Sequence, residues 1–272
     1  MKKIIRILSF VVLLSLFVGI FVGCANSKAK IEIKVSGSSS VTPLMQKLAQ
    51  EYEKNNDVTI SIITHDSGTG IKDTQEGLNE IGMASRSLKS TETGLDSVKI
   101  CDDGIALIVN KDLSITGDSV SGSQIYSLYK DGIAIEGILR GISREASSGT
   151  RGAFDELIKN TEGKALKDIT AFAAVISEQN STGSVKTAIS TATDTLGYIS
   201  LGSLDNTVKA LKFENVDATA ENVKNGSYKL ARPFILVKKS DTELSTQATA
   251  FINFILSEAG QAIVAQEGYI SM

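Results

Sequence analysis

The sequence predicts an α/β protein built on mainly parallel sheets, and three observations carry that prediction. Alternating apolar strands are each followed by an amphipathic helix, and two unbroken apolar runs have the length of strands buried on both faces. Three Ser/Thr/Gly runs fall where a strand ends and a helix begins. With only two prolines and no proline-rich tract, any two domains are joined by strands and not by a loose tether.

The chain opens with Lys2, Lys3 and Arg6. An almost unbroken apolar run follows from Ile7 to Val22, ending at Phe21-Val22-Gly23-Cys24 before the chain turns polar. This is the layout of a secretory signal. Cys24 behind a small residue resembles the lipobox of bacterial lipoproteins, whose Cys becomes the lipid-modified N-terminus, although Phe21 stands where Leu is usual. The apolar run is shorter than the roughly 20 residues of a spanning helix. Residues 1–23 are therefore expected to be a signal peptide and 24–30 a lipid-anchored linker, which places the rest outside the cytoplasmic membrane.

Ile31, Ile33 and Val35 alternate with polar residues, a half-buried strand that runs into Ser36-Gly37-Ser38-Ser39-Ser40. Pro43 suits a first helical turn, where its missing N–H costs nothing. Leu44, Leu48 and Tyr52 continue at helical spacing until Asn55-Asn56. A second strand (Val58, Ile60, Ile62) leads to Asp66-Ser67-Gly68-Thr69-Gly70 and a short helix from about Ile71. Gly104 to Asn110 and Pro233 to Val237 read as fully buried strands, the latter followed by a helix carrying Ala250, Phe251, Phe254 and Ile255. Between them lies the third run, Ser147-Ser148-Gly149-Thr150-Arg151. Arg144 precedes it, and Ala153, Phe154, Leu157 and Ile158 form the apolar face of the helix that follows. Gly197 to Ser200 reads as one more short strand.

Helix N-termini expose free N–H groups, and the helix dipole favours an anion there. Three such loops in one chain read as an oxyanion receptor. The charge balance agrees. The 28 basic and 31 acidic residues become 25 against 31 once Lys2, Lys3 and Arg6 are set aside, which argues against nucleic acid and against a polybasic membrane patch. The two cysteines, one of them Cys24, exclude a disulfide framework, and Cys101 reads as a small buried hydrophobe. Nothing in the sequence has metal-ligand spacing, and no cofactor is expected. His65-Asp66-Ser67 is no catalytic triad, because consecutive residues at a strand end face opposite ways. A hydrolase built on Ser39, Ser67 or Ser148 would have no other histidine as its base, so a binding protein is expected and not an enzyme.

Several segments resemble the phosphate-binding proteins of bacterial phosphate ABC transporters. These are Gly-Ser-Ser-Ser-Val-Thr-Pro-Leu (37–44), Ser-Gly-Thr-Gly-Ile-Lys (67–72), Ile-Gly-Met-Ala-Ser-Arg-Ser-Leu (81–88) and Ser-Arg-Glu-Ala-Ser-Ser-Gly-Thr-Arg-Gly-Ala-Phe (143–154). Looser matches are Gln-Asn-Ser-Thr-Gly-Ser-Val (179–185) and Leu-Gly-Tyr-Ile-Ser-Leu (196–201). The resemblance implies a periplasmic-binding-protein-like (type II) fold with two domains that close over inorganic phosphate. It implies a monomer that hands the ligand to permease subunits, with a lipid anchor at Cys24. Residues 31–108 and 230–272 would form one domain and 109–229 the other, rotating about strands near 104–110 and 232–238.

By the same resemblance, Arg144 is the phosphate-binding arginine, with Ser148, Gly149 and Thr150 as the donors that follow. Glu145 would hold the guanidinium fork. Ser39, Ser40 and the N–H of Val41 serve from the first loop, and Ser67 from the second, with a one-residue slip to Gly68 as the alternative. Val41 replaces a Thr of some relatives. Arg86 stands where well-known relatives carry an Asp that accepts the proton of phosphate; it either touches ligand or pairs with Asp66 or Glu80. Since that Asp is what rejects sulfate, a receptor for sulfate or molybdate, or a phosphate sensor, is the alternative function. The stretch between Ser123 and Arg144 is shorter than the family's and lacks its Trp.

Overall fold

A computed structural model describes residues 30–272. The expected signal peptide, most of the linker and Cys24 lie outside the described residues. Ten strands form one mixed sheet whose main path runs β2-β1-β3-β10-β4-β8-β6-β7. In chain order the first part comprises β1 (Ile31–Ser38), α1 (Thr42–Glu53), β2 (Val58–His65), α2 (Ser67–Glu76) and β3 (Ile81–Ala84). Pro43 lies in the first turn of α1, and the helix buries Leu44, Met45, Leu48, Ala49 and Tyr52, the face its apolar spacing requires. β1 pairs parallel with β3, as a β-α-β crossover demands.

β4 (Leu95–Asn110) is 16 residues long, much longer than its apolar run. Its first half pairs antiparallel with β10 (Ala231–Lys239), from Leu95↔Lys239 to Gly104↔Ala231. From Ile105 onward it pairs instead with β8 (Thr195–Ser200) and β9 (Val208–Phe213). The exchange of partners at Gly104/Ile105 also marks a change of core. One cluster gathers Ile33, Leu44, Leu48, Ile81, Ile100, Phe234 and Phe251; the other gathers Ile105, Leu107, Tyr129, Phe154, Tyr198 and Leu230. Cys101 is buried in the first cluster, and burial pushes its thiol far up. β3 and β4 run antiparallel to β10, so the middle of the sheet is antiparallel and its outer parts are parallel.

The second cluster is closed by α3 (Gly122–Asp131), β6 (Arg140–Arg144), α4 (Gly149–Leu157) and β7 (Ile176–Gln179), while α5 (Thr182–Thr191) packs Val185 and Ile189 with Ala106, Ile108 and Ile199 in a further cluster. α3 ends at Gly132, φ 70°, and the stretch behind it folds into a tight turn. There Ile135 and Ile138 exchange backbone hydrogen bonds of 3.0 and 2.7 Å. β6 pairs parallel with both β7 and β8. Arg144 lies opposite Gln179, so the loops after β6 and β7 leave the sheet at the same edge. α6 (Ala220–Lys224), α7 (Thr246–Leu256) and α8 (Glu258–Gln266) complete the chain.

Candidate functional site

The loops after β1, β2, β6 and β7 meet, and each opens a helix: α1, α2, α4 and α5. Their side chains form one buried hydroxyl cluster. Ser40 Oγ lies 2.8 Å from Thr150 Oγ1 and 3.1 Å from Thr182 Oγ1. Ser39 Oγ accepts from the Thr182 N–H at 3.3 Å. Arg144, 2% exposed, stands beside them, donating from Nη2 to Ser39 Oγ at 3.2 Å and from Nη1 to Thr182 Oγ1 at 3.5 Å. These contacts join residues 39 and 40 of the first core to residues 144, 150 and 182 of the second.

A second chain of hydroxyls adjoins the first. Ser67 Oγ accepts the Ser85 N–H at 3.1 Å and lies 3.3 Å from Ser85 Oγ, which accepts from Ser38 Oγ at 3.0 Å. Gly149 packs against both Ser67 and Ser85: a Cβ at this position would overlap Ser67 Oγ and stand 2.7 Å from Ser85 Oγ. Gly68 N–H donates to the Ser147 carbonyl at 3.0 Å, so the second and third loops also bond directly.

Arg144 is held on three sides. Its Nε and Nη2 donate to the two Glu145 oxygens at 2.7 and 2.6 Å, the bidentate geometry that suits a planar fork. Its backbone N–H donates to Tyr198 Oη at 3.2 Å, and that phenol stacks on Phe154 of α4 at 3.8 Å between ring centroids. Tyr129 Oη donates to the Ile142 carbonyl at 2.7 Å, fixing β6 two residues earlier.

Asp66 and Arg86 take positions that the sequence left open, and the Val41 N–H, expected to serve the ligand, is engaged within the first loop instead. The Val41 N–H donates to the Ser38 carbonyl at 3.0 Å and its side chain is fully buried in the core, so Val41 closes the turn before α1. Asp66 is the N-cap of α2, accepting from Thr69 N–H at 2.8 Å and Thr69 Oγ1 at 2.7 Å. Burial acts to raise its carboxyl, but the hydrogen bonds from Thr69 and Ser147 together bring it below its usual value. Arg86 pairs with neither Asp66 nor Glu80. It makes a bidentate pair with Glu92 at 2.8 and 2.7 Å and also donates to the Ser87 carbonyl. Glu80 instead accepts the Ser245 N–H at 2.6 Å. Ser148 caps α4 through the Arg151 N–H. Among the described residues no group of His, Cys, Asp and Glu could hold a metal ion.

The arrangement offers an anion hydroxyl groups from four helix starts and one buried arginine already paired with the carboxylate of Glu145. Such donors replace lost hydration without a large excess of positive charge.

A model of the PBP superfamily domain matches residues 25–259. A Clostridium perfringens structure, described as a phosphate ABC transporter substrate-binding protein with bound phosphate, superposes with a TM-score of 0.80 at 38% identity. That match covers 89% of this chain and 99% of that one. The chain belongs to the PBP superfamily, in the family of phosphate ABC transporter substrate-binding proteins. An ABC-type phosphate transport receptor from Vibrio cholerae gives a TM-score of 0.69 at 31% identity, covering 88% of this chain and 100% of that chain. Phosphate-binding protein PstS 2 of Streptococcus agalactiae serotype V is 44% identical over 142 residues, 50% of this chain and 47% of that protein. This chain thus matches about half the length of that relative.

For this member of the PBP superfamily, Thr182 and Ser85 join the site without having been singled out in the sequence. The signal for Thr182 was present in Ser181-Thr182-Gly183, but that segment also reads as a capped helix start, and Ser181 does form a capping box with Ser184.

Proposed function

We propose that this protein captures inorganic phosphate between the two core regions and delivers it to the permease of an ABC transporter, acting as a binding protein and not an enzyme. The observation that carries this reading is the meeting of Arg144, Ser39, Ser40, Thr150 and Thr182, drawn from both cores, at three helix N-termini, with Ser67 at a fourth alongside. The partner-exchanging strand β4 and its neighbour β10 are the natural hinge, and ligand bridging the loops would favour closure by differential contact. The protein would act as a monomer outside the cytoplasmic membrane, tethered through lipid on Cys24, as the leader's layout implies.

A second reading has its own support. The nearby carboxylates are committed to donors: Glu145 to Arg144, Glu92 to Arg86 and Asp66 to Thr69. A site that offers mainly donors has less means of demanding a proton on its ligand, which favours a broader oxyanion receptor that also takes sulfate or molybdate. Titration calorimetry of the full chain in mild detergent, with phosphate and then sulfate, separates the two. Heat with phosphate alone supports the phosphate reading, equal affinities support the broader one, and no heat with either contradicts both.

Gly149→Ala is expected to weaken phosphate binding by about ten- to a hundredfold, because a Cβ there pushes the third loop off Ser67 and Ser85. The same titration checks this; unchanged affinity would mean that these loops need not approach so closely when the ligand is bound.

A further inference from the structure

Arg151 does not touch the hydroxyl cluster, yet it makes more distinct contacts than a helix-surface arginine requires. Its Nη1 donates to the Arg144 carbonyl at 2.8 Å and to Glu178 Oε2 at 3.0 Å. Its Nε donates to Asp155 Oδ2 at 3.3 Å, and its guanidinium carbon lies 4.8 Å from the centre of the Phe172 ring. One planar head therefore ties the end of β6 to α4, to β7 and to the segment before β7.

We propose that Arg151 is a positioning residue of the anion site, a clamp behind Arg144 that sets the direction of its guanidinium. The proposal rests on the phosphate reading above and deepens it. With the Arg144 N–H on Tyr198 Oη and its carbonyl on Arg151, both polar backbone groups of that residue are fixed. Turning the peptide between 144 and 145 would swing Arg144 and its partner Glu145 together, away from Ser39 and Thr182. A lysine offers a point charge that cannot hold the carbonyl, Asp155 and Glu178 at once while lying flat on Phe172.

Asp155 gives this clamp a pH dependence. Its Oδ1 is buried with no partner. The carboxyl faces Arg151 on its own helix and lies close enough to Tyr129 of α3 and Tyr198 of β8 for its charge to help push both phenols up, while Glu178 reaches the same guanidinium from β7. Burial raises the Asp155 carboxyl to about 6 against the attraction of Arg151. As pH falls through that value Asp155 becomes neutral and its hold on Arg151 weakens.

The test is phosphate titration of the full chain and the variants Arg151→Lys, Glu178→Gln and Asp155→Asn, with melting temperatures of the unliganded proteins alongside. Arg151→Lys is expected to weaken binding about tenfold, as for loss of one charge-assisted hydrogen bond, with the melting point little changed. The half-exposed Glu178 tolerates substitution, and Glu178→Gln is expected to lose a few-fold, which keeps the test alive if Arg151→Lys folds poorly. Asp155→Asn should bind more weakly than wild type at about pH 7.5 and converge with it near pH 5, a comparison in which phosphate's own titration cancels. Wild-type affinity in both Arg151→Lys and Glu178→Gln, or a constant ratio between Asp155→Asn and wild type across that range, would overturn the clamp while leaving phosphate binding intact. A wild-type protein that binds no phosphate would overturn the reading beneath it and the clamp as well.

Discussion

Arg144→Ala is expected to weaken phosphate binding by at least about a hundredfold. Two charge-assisted hydrogen bonds to an oxyanion are together worth about 3–6 kcal/mol, and the fork that would make them disappears. A second effect has the same sign. Glu145 has a side chain only 16% exposed and gives both its oxygens to Arg144, so truncation leaves a half-shielded negative charge facing the anion. Combining Arg144→Ala with Glu145→Gln should therefore bind better than Arg144→Ala alone, although far below wild type. Calorimetry on the pair of variants measures both statements. A double variant weaker than the single one would mean that Glu145 does more than hold the fork.

The second large effect is expected far from the anion. Asp103 of β4 and Arg232 of β10 are each about 1% exposed in side-chain terms and lie opposite each other where β4 changes partners. Asp103 Oδ2 accepts from Arg232 Nε at 3.2 Å and Nη2 at 3.0 Å, while Oδ1 accepts from Ser200 at 2.8 Å. Arg232 Nη1 has no partner and cannot absorb further loss. Asp103→Ala strands a buried guanidinium and should cost about 3–5 kcal/mol, while replacing both residues by apolar ones of similar volume should recover most of it. In a unit of this size that corresponds to a drop of roughly 10 °C in melting temperature. Thermal unfolding of Asp103→Ala and of Asp103→Leu/Arg232→Met decides it; equal losses in the two would mean that packing, not charge, dominates the site.

The position of this pair explains why it was invisible in the sequence: 129 residues separate its members, and nothing local in Asp102-Asp103-Gly104 marks one carboxylate as buried. The first half of β4 escaped for a related reason. Leu95 to Lys99 carries no apolar run because that stretch is largely exposed along one face, so only the part from Gly104 onward has the composition of a buried strand. Elements with a local cause were legible. Ile33 and Val35 alternate inward on β1, Pro43 starts α1, and Phe154 gives α4 its buried face.

The same division runs through the site. Arg144, Ser148, Gly149 and Thr150 sit in one short segment whose residue types suit anion binding and could be chosen from it. The approach of Ser39 and Ser40 to that segment depends on how the two cores face each other. Thr182 reaches them only because β7 lies in parallel register beside β6. Arg86 has its partner six residues away in an irregular loop, where Lys89 N–H also donates to Glu92 at 2.7 Å. No periodicity links those positions, and the choice between Asp66 and Glu80 omitted the carboxylate that the loop brings in.

The most direct test of the site is a crystal structure of the protein grown with phosphate. The crystal is expected to show one anion enclosed by Arg144, Ser39, Ser40, Ser67, Thr150 and Thr182, with its oxygens within hydrogen-bond distance of donors from both cores. An anion bound to one core only, or seated away from Arg144, would contradict it.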